Sequence, residues 1–562
     1  MASEDTVALL VNMLQKLSSQ VTVLQKDNAS LRTTLAGVVD DIQTLKAQTN
    51  LVLHQTNPNR RFFTKLSDLP FEVFAKIFAY VPPTTVFKLR RLSKAINSCL
   101  VSAYFAALSL PIHVATKKQR LFINSKPDSF DTIWFFWPPN YQAAYAALKL
   151  SHFHAIQWTS IDWSKYKKKT LSTREMRDAP FSQLIQMGLA LRDNGRMGRK
   201  RTPPLLIQIP SAIGYLNQLK TLQLASCEEL VGEIPKEIGS LTSLEILNLS
   251  KNGLEGEIPV EFRELQSLQE LNLFGNQLTG GIDVLCSITS LKQLNLHKNK
   301  FSGHLPSALG QLKEIVGLFL SDNEFTGPIP SVIQQLENLA ILNLFENSLT
   351  GTIPLMPPRL EHLNLFSNEL EGTIPSQLGE LRFITHLNCS KNNLSGSIPH
   401  ELCSGLTPLQ MLKLSDNKLT GEIPSTIHLL PLHTLILKNN SISGHIPGLP
   451  ETLTALDLSG NQLSGSFPTN IGDLRNLTIL NVSENGLNGA IPNSLCLLMN
   501  LQELGLANNN FVGRVPERFG ALILEKLELS GNEEMDKELP QSVLGNTKLL
   551  EMLVQEGFKK GE

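Results

Sequence analysis

The apolar positions of this chain change period twice. From Leu10 to Val52 they fall at alternating steps of four and three, through Leu14, Leu17, Val21, Leu24, Leu31, Leu35, Val38, Ile42 and Leu45, with Asn28 and Thr49 in the same series. That 3.5-residue spacing with polar flanks predicts a coiled-coil helix over residues 1–57, its seam roughly 65 Å long. "HQTNPNRR" ends the helix at Pro58. In "LSDLPFEVFAKIFAYVPPTTVFKLRRLSKAINSCL" the spacing becomes that of short amphipathic helices. Val73, Ile77, Phe78 and Val81 share one face, Pro70 stands at the start, and Pro82-Pro83 stops the helix. Thr84 or Thr85 caps a second helix carrying Val86, Leu89, Leu92 and Ile96. From Leu219 the pattern becomes L-x-x-L-x-L-x-x-N, as in "LEILNLSKN" and "LAILNLFEN", each followed by x-L-x-G-x-I and usually proline.

The asparagines of this last pattern are Asn252, Asn276, Asn299, Asn323, Asn347, Asn368, Asn392, Asn417, Asn440, Asn461, Asn485, Asn509 and Asn532, with Cys227 in the first slot. They mark fourteen units, mostly 23 to 25 residues apart. Each unit offers one short strand whose leucines point inward and have nothing to bury against except the next unit. This is the pattern of a leucine-rich-repeat solenoid, so the fold class is α/β, with a curved parallel sheet after the N-terminal helices. Fourteen strands at ~4.8 Å give a concave sheet about 60 Å along its arc. The Gly-x-Ile-Pro element, as in "GEIP" at 256–259, resembles the plant-type subclass of these repeats, whose members are often extracellular receptors. The resemblance carries the fold; the receptor role, with its signal segment, membrane span and kinase, is not expected. Two units, Asn347 to Asn368 and Asn440 to Asn461, are only 21 residues long and hold "PLMPPR" and "PGLPET" where the others hold x-x-L-G-x-L, which predicts a thinned convex side. The segment from 538 departs from the repeat and is expected to cap the open end.

Alternation across a strand puts every second side chain on the sheet's open face. One such column is mostly serine (Ser250, Ser321, Ser390, Ser415, Ser459, Ser483, Ser530) but becomes Phe274, His297, Phe345 and Phe366 in its middle. Phe319 lies in the neighbouring column, with His362 and His386 beside it. These seven residues are the expected target-binding patch, because contiguous aromatics on an open face are what a binding hot spot requires. The opposing expectation is that the rings lean between neighbours as an extension of the core.

The segment at 66–100 resembles an F-box, through Leu69-Pro70-x-Glu72-Val73, Ile77-Phe78-x-Tyr80-Val81, Leu89 and Leu92-Ser93-Lys94. Ile96 stands where many members carry tryptophan, and Thr85 where an acidic residue is common. The resemblance implies a helical module over 62–110 that docks a Skp-type adaptor of a cullin-RING ubiquitin ligase. By carry-over Leu69, Pro70, Val73, Ile77, Phe78, Val81 and Pro82 would face that adaptor. The coil adds a second expected partner, a further copy of the chain. Its seam of Leu17, Val21, Leu24, Asn28, Leu31 and Leu35 has an asparagine at an a position, the device that favours a parallel two-stranded pair.

Composition narrows the remaining choices. The 562 residues carry 50 Lys and Arg against 51 Asp and Glu, a net charge of −1, which excludes recognition of nucleic acid by overall basicity. The basic runs "KYKKK" at 165–169 and "RMGRKR" at 196–201 read as solvated charge in the linker region 111–202, ahead of the solenoid at 203–562. All four tryptophans, Trp134, Trp137, Trp158 and Trp163, fall in that linker region and suggest a local aromatic core. His152 and His154 lack further ligands, so no metal is expected, and no cofactor motif occurs. The six cysteines stand singly and read as reduced core thiols. No apolar run reaches the ~18 residues of a membrane span, so a cytoplasmic or nuclear location without membrane contact is expected. With no catalytic constellation to assemble, the sequence predicts a non-enzymatic substrate-recognition adaptor of a ubiquitin ligase. The competing expectation is an intracellular assembly scaffold that binds no adaptor.

Overall fold

The computed structural model describes residues 208–226, 230–404 and 408–559, with Ala75, Ser102, Phe105, residues 142–144 and the backbone of Ala155–Thr159. The chain divides into two compact units, Met1–His154 with Asp162–Leu219, and Ala155–Ile161 with Lys220–Glu562. In the first unit Ala75 and Phe105 are helical and fully buried. The Phe105 amide donates to Ser102 Oγ at 3.1 Å, as expected where a serine caps a helix start. The coil seam and the seven residues expected to face an adaptor lie outside the described residues.

In the second unit the described strands form one long parallel sheet of fifteen. The register runs leucine against leucine, Leu247 to Leu271 to Leu294 to Leu318 and onward, so each repeat stacks its apolar centre on the next. In a strand such as Ile246–Asn248 only the middle residue is buried, and its neighbours stand on the open face. Across the core, the x-L-x-G segments make a second series of strands, grouped as six, three and five. Their glycines take positive φ; at Gly256, with φ +82°, a Cβ would also meet Glu233 Cγ at 2.9 Å. The proline of G-x-I-P then sets up a 3-10 turn. Pro259 precedes Val260–Glu264 and accepts the first bond from the Phe262 amide at 3.0 Å, a place where proline's fixed φ and missing N–H cost nothing.

Both 21-residue units lack this 3-10 turn. None is found between Ser348–Thr350 and His362–Asn364, or between Ser443–Gly444 and Ala455–Asp457. The outer sheet breaks next to each. It ends at Ser348–Thr350 and resumes at Glu371–Thr373, then ends at Lys418–Leu419 and resumes at Ser443–Gly444. Two amide bonds of 2.8 Å, Glu369 to Leu349 and Glu371 to Gly351, bridge the first break. A Glu422–Ser443 bridge spans the second.

One strand corrects the reading of 111–202 as linker. β1 (Ala155–Thr159) pairs in parallel with β2 (Thr221–Ala225), placing Ile156 at the level of Leu222 and Trp158 at the level of Leu224. The sheet therefore has one strand more than the fourteen units predict. At the other end α1 (Thr547–Gln555) buries Leu549 and Leu553. Glu556 behind it accepts the amides of Leu529 and Ser530 at 2.9 and 2.5 Å. In earlier repeats such amides donate to the next strand, as Leu506 does to Glu528 at 2.8 Å. Among the described residues the last repeat has no next strand in the long sheet, and a carboxylate serves instead.

Candidate interaction surface

The open face of the long sheet carries an asparagine column. In Asn248, Asn272, Asn295, Asn364, Asn388 and Asn481, the side-chain oxygen accepts the amide two residues on, at 3.0 to 3.2 Å. Those amides belong to the serine and aromatic column, so its side chains leave the backbone in one fixed direction. The next residue of every repeat from Ser226 to Gly531 has positive φ, including eleven that are not glycine. That turn points its amide at the following repeat: Lys251 donates to the Phe274 carbonyl at 2.6 Å, and Lys298 to Ser321 at 3.0 Å.

All seven aromatic and histidine residues of the expected patch are half-buried, between the two expectations raised above. Five of them form two clusters. Phe274 stacks on His297 at 5.1 Å and 4°, and His297 meets Phe345 tilted at 5.3 Å. Ser321 lies between those two and holds the histidine, Oγ to Nδ1 at 2.9 Å. His362 and His386 stack at 4.3 Å and 12°. Burial first, then the neighbouring His362 and Lys413, hold His386 below its usual value of 6.5. Phe319 and Phe366 make no ring stack with the other five among the described residues.

The aromatic list missed the lysines. Lys251 Nζ lies 5.6 Å from the Phe274 ring centre and Lys391 Nζ 5.2 Å from that of Phe366, within reach of the negative ring face. Lys413 and Lys438 stand two and three strands beyond His362, in the same columns as Phe319 and Phe366. The column reading that found the rings would have found these cations had charge been read alongside.

The thiols of Cys286, Cys389 and Cys403 are pushed up to about 12 and that of Cys496 to about 11, chiefly by burial, so they stay protonated in the core. Among the described residues no three His, Cys, Asp or Glu side chains gather as a metal site, and no helix is long and apolar enough to cross a membrane.

Comparison with known proteins agrees with this geometry. Residues 66–106 match the family model "F-box domain". Leucine-rich-repeat models match 217–278 and 451–511, and also 290–312, 359–381, 383–404 and 408–430. No curated protein matches the chain. Two crystal structures of the Arabidopsis receptor kinase HAESA in complex with the peptide hormone IDA are similar to it, one also holding the co-receptor SERK1. They share 35% and 32% identity at TM-scores of 0.52 and 0.55, over 60% of this chain and 61% and 62% of theirs. A TDR receptor is similar at 29% identity and a TM-score of 0.52, over 60% of this chain and 68% of its own. The chain thus spans about three fifths of the HAESA chains. It joins an F-box domain to a leucine-rich-repeat solenoid, two modules that work by binding other proteins.

Proposed function

We propose that this protein is the substrate-recognition subunit of a Skp-cullin-F-box type ubiquitin ligase, acting in the cytoplasm or nucleus. The observation that carries the reading is the F-box match at 66–106 ahead of a solenoid whose open face holds a fixed run of half-buried rings. In this reading Leu69, Pro70, Val73, Ile77, Phe78, Val81 and Pro82 lay an apolar helix face into a groove of the adaptor. The rings from Phe274 to His386 take the target, and the coil pairs two copies of the chain. HAESA, a receptor with similar repeats, is held in complex with a peptide hormone, which supports a peptide segment as the target. The protein itself contributes binding and no bond chemistry.

Pull-down of a Skp-type adaptor tests the reading directly. Wild type should retain the adaptor, and Pro70→Ala combined with Ile77→Asp should lose it while the solenoid keeps its thermal transition. Equal retention by the double variant would overturn the assignment of that helix face, and no retention by wild type would leave the assembly scaffold in its place. Light scattering on Asn28→Leu tests the coil, since loss of the buried amide should change the number of chains per particle.

A further inference from the structure

On the open face of the long sheet, no Asp or Glu occupies the three outward positions of any strand from Gln293 to Lys438. Glu270 precedes that stretch and Asp457 follows it. Within it stand His297, His362, His386, Lys413 and Lys438, with Lys391 on the flank over Phe366. Among the described residues Lys391, Lys413 and Lys438 form no ion pair. The acids near this stretch sit on its margins, at Asp322, Glu346, Glu361 and Asp416, and the last already accepts from Asn439 Nδ2 at 2.7 Å. Beyond it the sign reverses, with Asp457, Glu484, Glu503 and Glu528. Lys391, Lys413 and Lys438 and the imidazoles of His362 and His386 all fall between the two turnless segments, 351–361 and 445–454.

We infer that the face from Phe345 to Lys438 takes an extended segment of a target protein in which an aromatic or large apolar anchor adjoins a short acidic run. The anchor lies against Phe345 and Phe366, and the carboxylates meet His386, Lys413 and Lys438. The inference rests on the reading of this face as target-binding and adds the chemistry of the target. Four strand spacings separate Phe345 from Lys438, about 19 Å, which is the reach of about six residues of extended chain. A longer polyanion would overlie Asp457 and Glu484 at one end and Glu346 at its side, so charge complementarity favours a short acidic peptide over nucleic acid. Partly desolvated rings supply affinity, and unpaired lysines beside them supply discrimination and salt dependence.

The test uses the full chain and three sets of synthetic twelve-residue peptides. Each carries one Trp, Phe or Leu beside four consecutive Asp or Glu, four Gln, or four Lys; a twelve-nucleotide single-stranded DNA is the competitor. Fluorescence anisotropy should show the acidic set binding at least tenfold tighter than the Gln set, with the Lys set weakest and the preference shrinking as salt rises. Lys413→Gln with Lys438→Gln should remove that tenfold preference, while Phe345→Ala with Phe366→Ala should weaken the acidic and Gln sets together. Equal binding of acidic and Gln sets, no binding of either, an unchanged preference in the lysine variant, or displacement by DNA more readily than by acidic peptide would overturn the inference. Adaptor pull-down on the same samples separates the two readings. Lost adaptor binding with the acidic preference intact removes the ligase reading alone, and retained adaptor binding without the preference removes this inference alone.

Discussion

At the scale of single residues, Asn392 shows what the repeat consensus is for. Its amide donates to the carbonyls of Leu365 and Cys389 at 2.9 and 3.1 Å, and its oxygen accepts the Leu370 amide at 3.0 Å, all within the buried stack. Asn392→Ala strands the buried Leu370 amide, which costs about 1–3 kcal/mol, while the Leu365 and Cys389 carbonyls keep their bonds from Asn368 and Asn417. We expect a loss of about 1–3 kcal/mol, measured as a lower urea midpoint, with Asn392→Asp no rescue because it lacks the donor and sets a buried carboxylate against two carbonyl oxygens. The residue before each asparagine shows the opposite logic. Glu346 has φ 52° yet could be almost any residue without a branched Cβ, so its role is conformational. His386 is specified by its setting. It faces His362, Lys413 and Thr385, whose Oγ1 lies 2.8 Å from Nδ1. Because the fold holds its pKa below 6.5, the unfolded chain binds that proton more readily. Its contribution to stability is therefore complete above the usual value and is lost as pH falls through the depressed one. An NMR titration should place the His386 midpoint below 6.5, and Lys413→Met should raise it.

At the scale of elements, the two ends of the sheet solve one problem in different ways. The last strand, Lys526–Glu528, has no successor among the described residues, and the Glu556 carboxylate takes the amides that a successor would have accepted. Glu556→Ala should therefore speed hydrogen exchange at Leu529 and Ser530 and lower stability by about 2 kcal/mol, with repeats far from the cap unaffected. The cap was legible in the sequence as a departure from the repeat, but its chemistry was not, because one glutamate among many acquires its role only when α1 places it. β1 escaped for a related reason. Phe153, Ile156 and Trp158 fit the L-x-x-L-x-L spacing, yet more than sixty residues separate them from Leu222, and a single copy carries no periodicity. The aromatic column was legible because strand alternation is strict. The half-burial of its rings was not, since it depends on neighbours such as Ser321, whose hydroxyl holds His297 and leaves room for Phe345 to meet it.

At the scale of the whole solenoid, the fourteen consensus units do not carry equal load. In a stack where each unit touches only its neighbours, stability is a sum of unit and interface terms, and a thin interface becomes a boundary. The two 21-residue units lose a 3-10 turn, and the outer sheet breaks beside each, which leaves outer blocks of six, three and five strands on one continuous inner sheet. The middle block spans Glu371–Thr373 to Lys418–Leu419, and the inner strands it backs present His386, Lys391 and Lys413. A local loss of packing should therefore spread within a block more readily than across a boundary. Leu394 is fully buried in the middle block, and Leu394→Ala opens a cavity there worth about 2–5 kcal/mol. Hydrogen exchange on this variant should rise across 371–419 and change much less at Glu324–Pro328 and Gly486–Ala490. The peptide-binding assay should weaken in parallel if the middle block orders the cations. A uniform rise along all three blocks would mean that the inner sheet alone sets cooperativity and that the missing turns have no mechanical consequence.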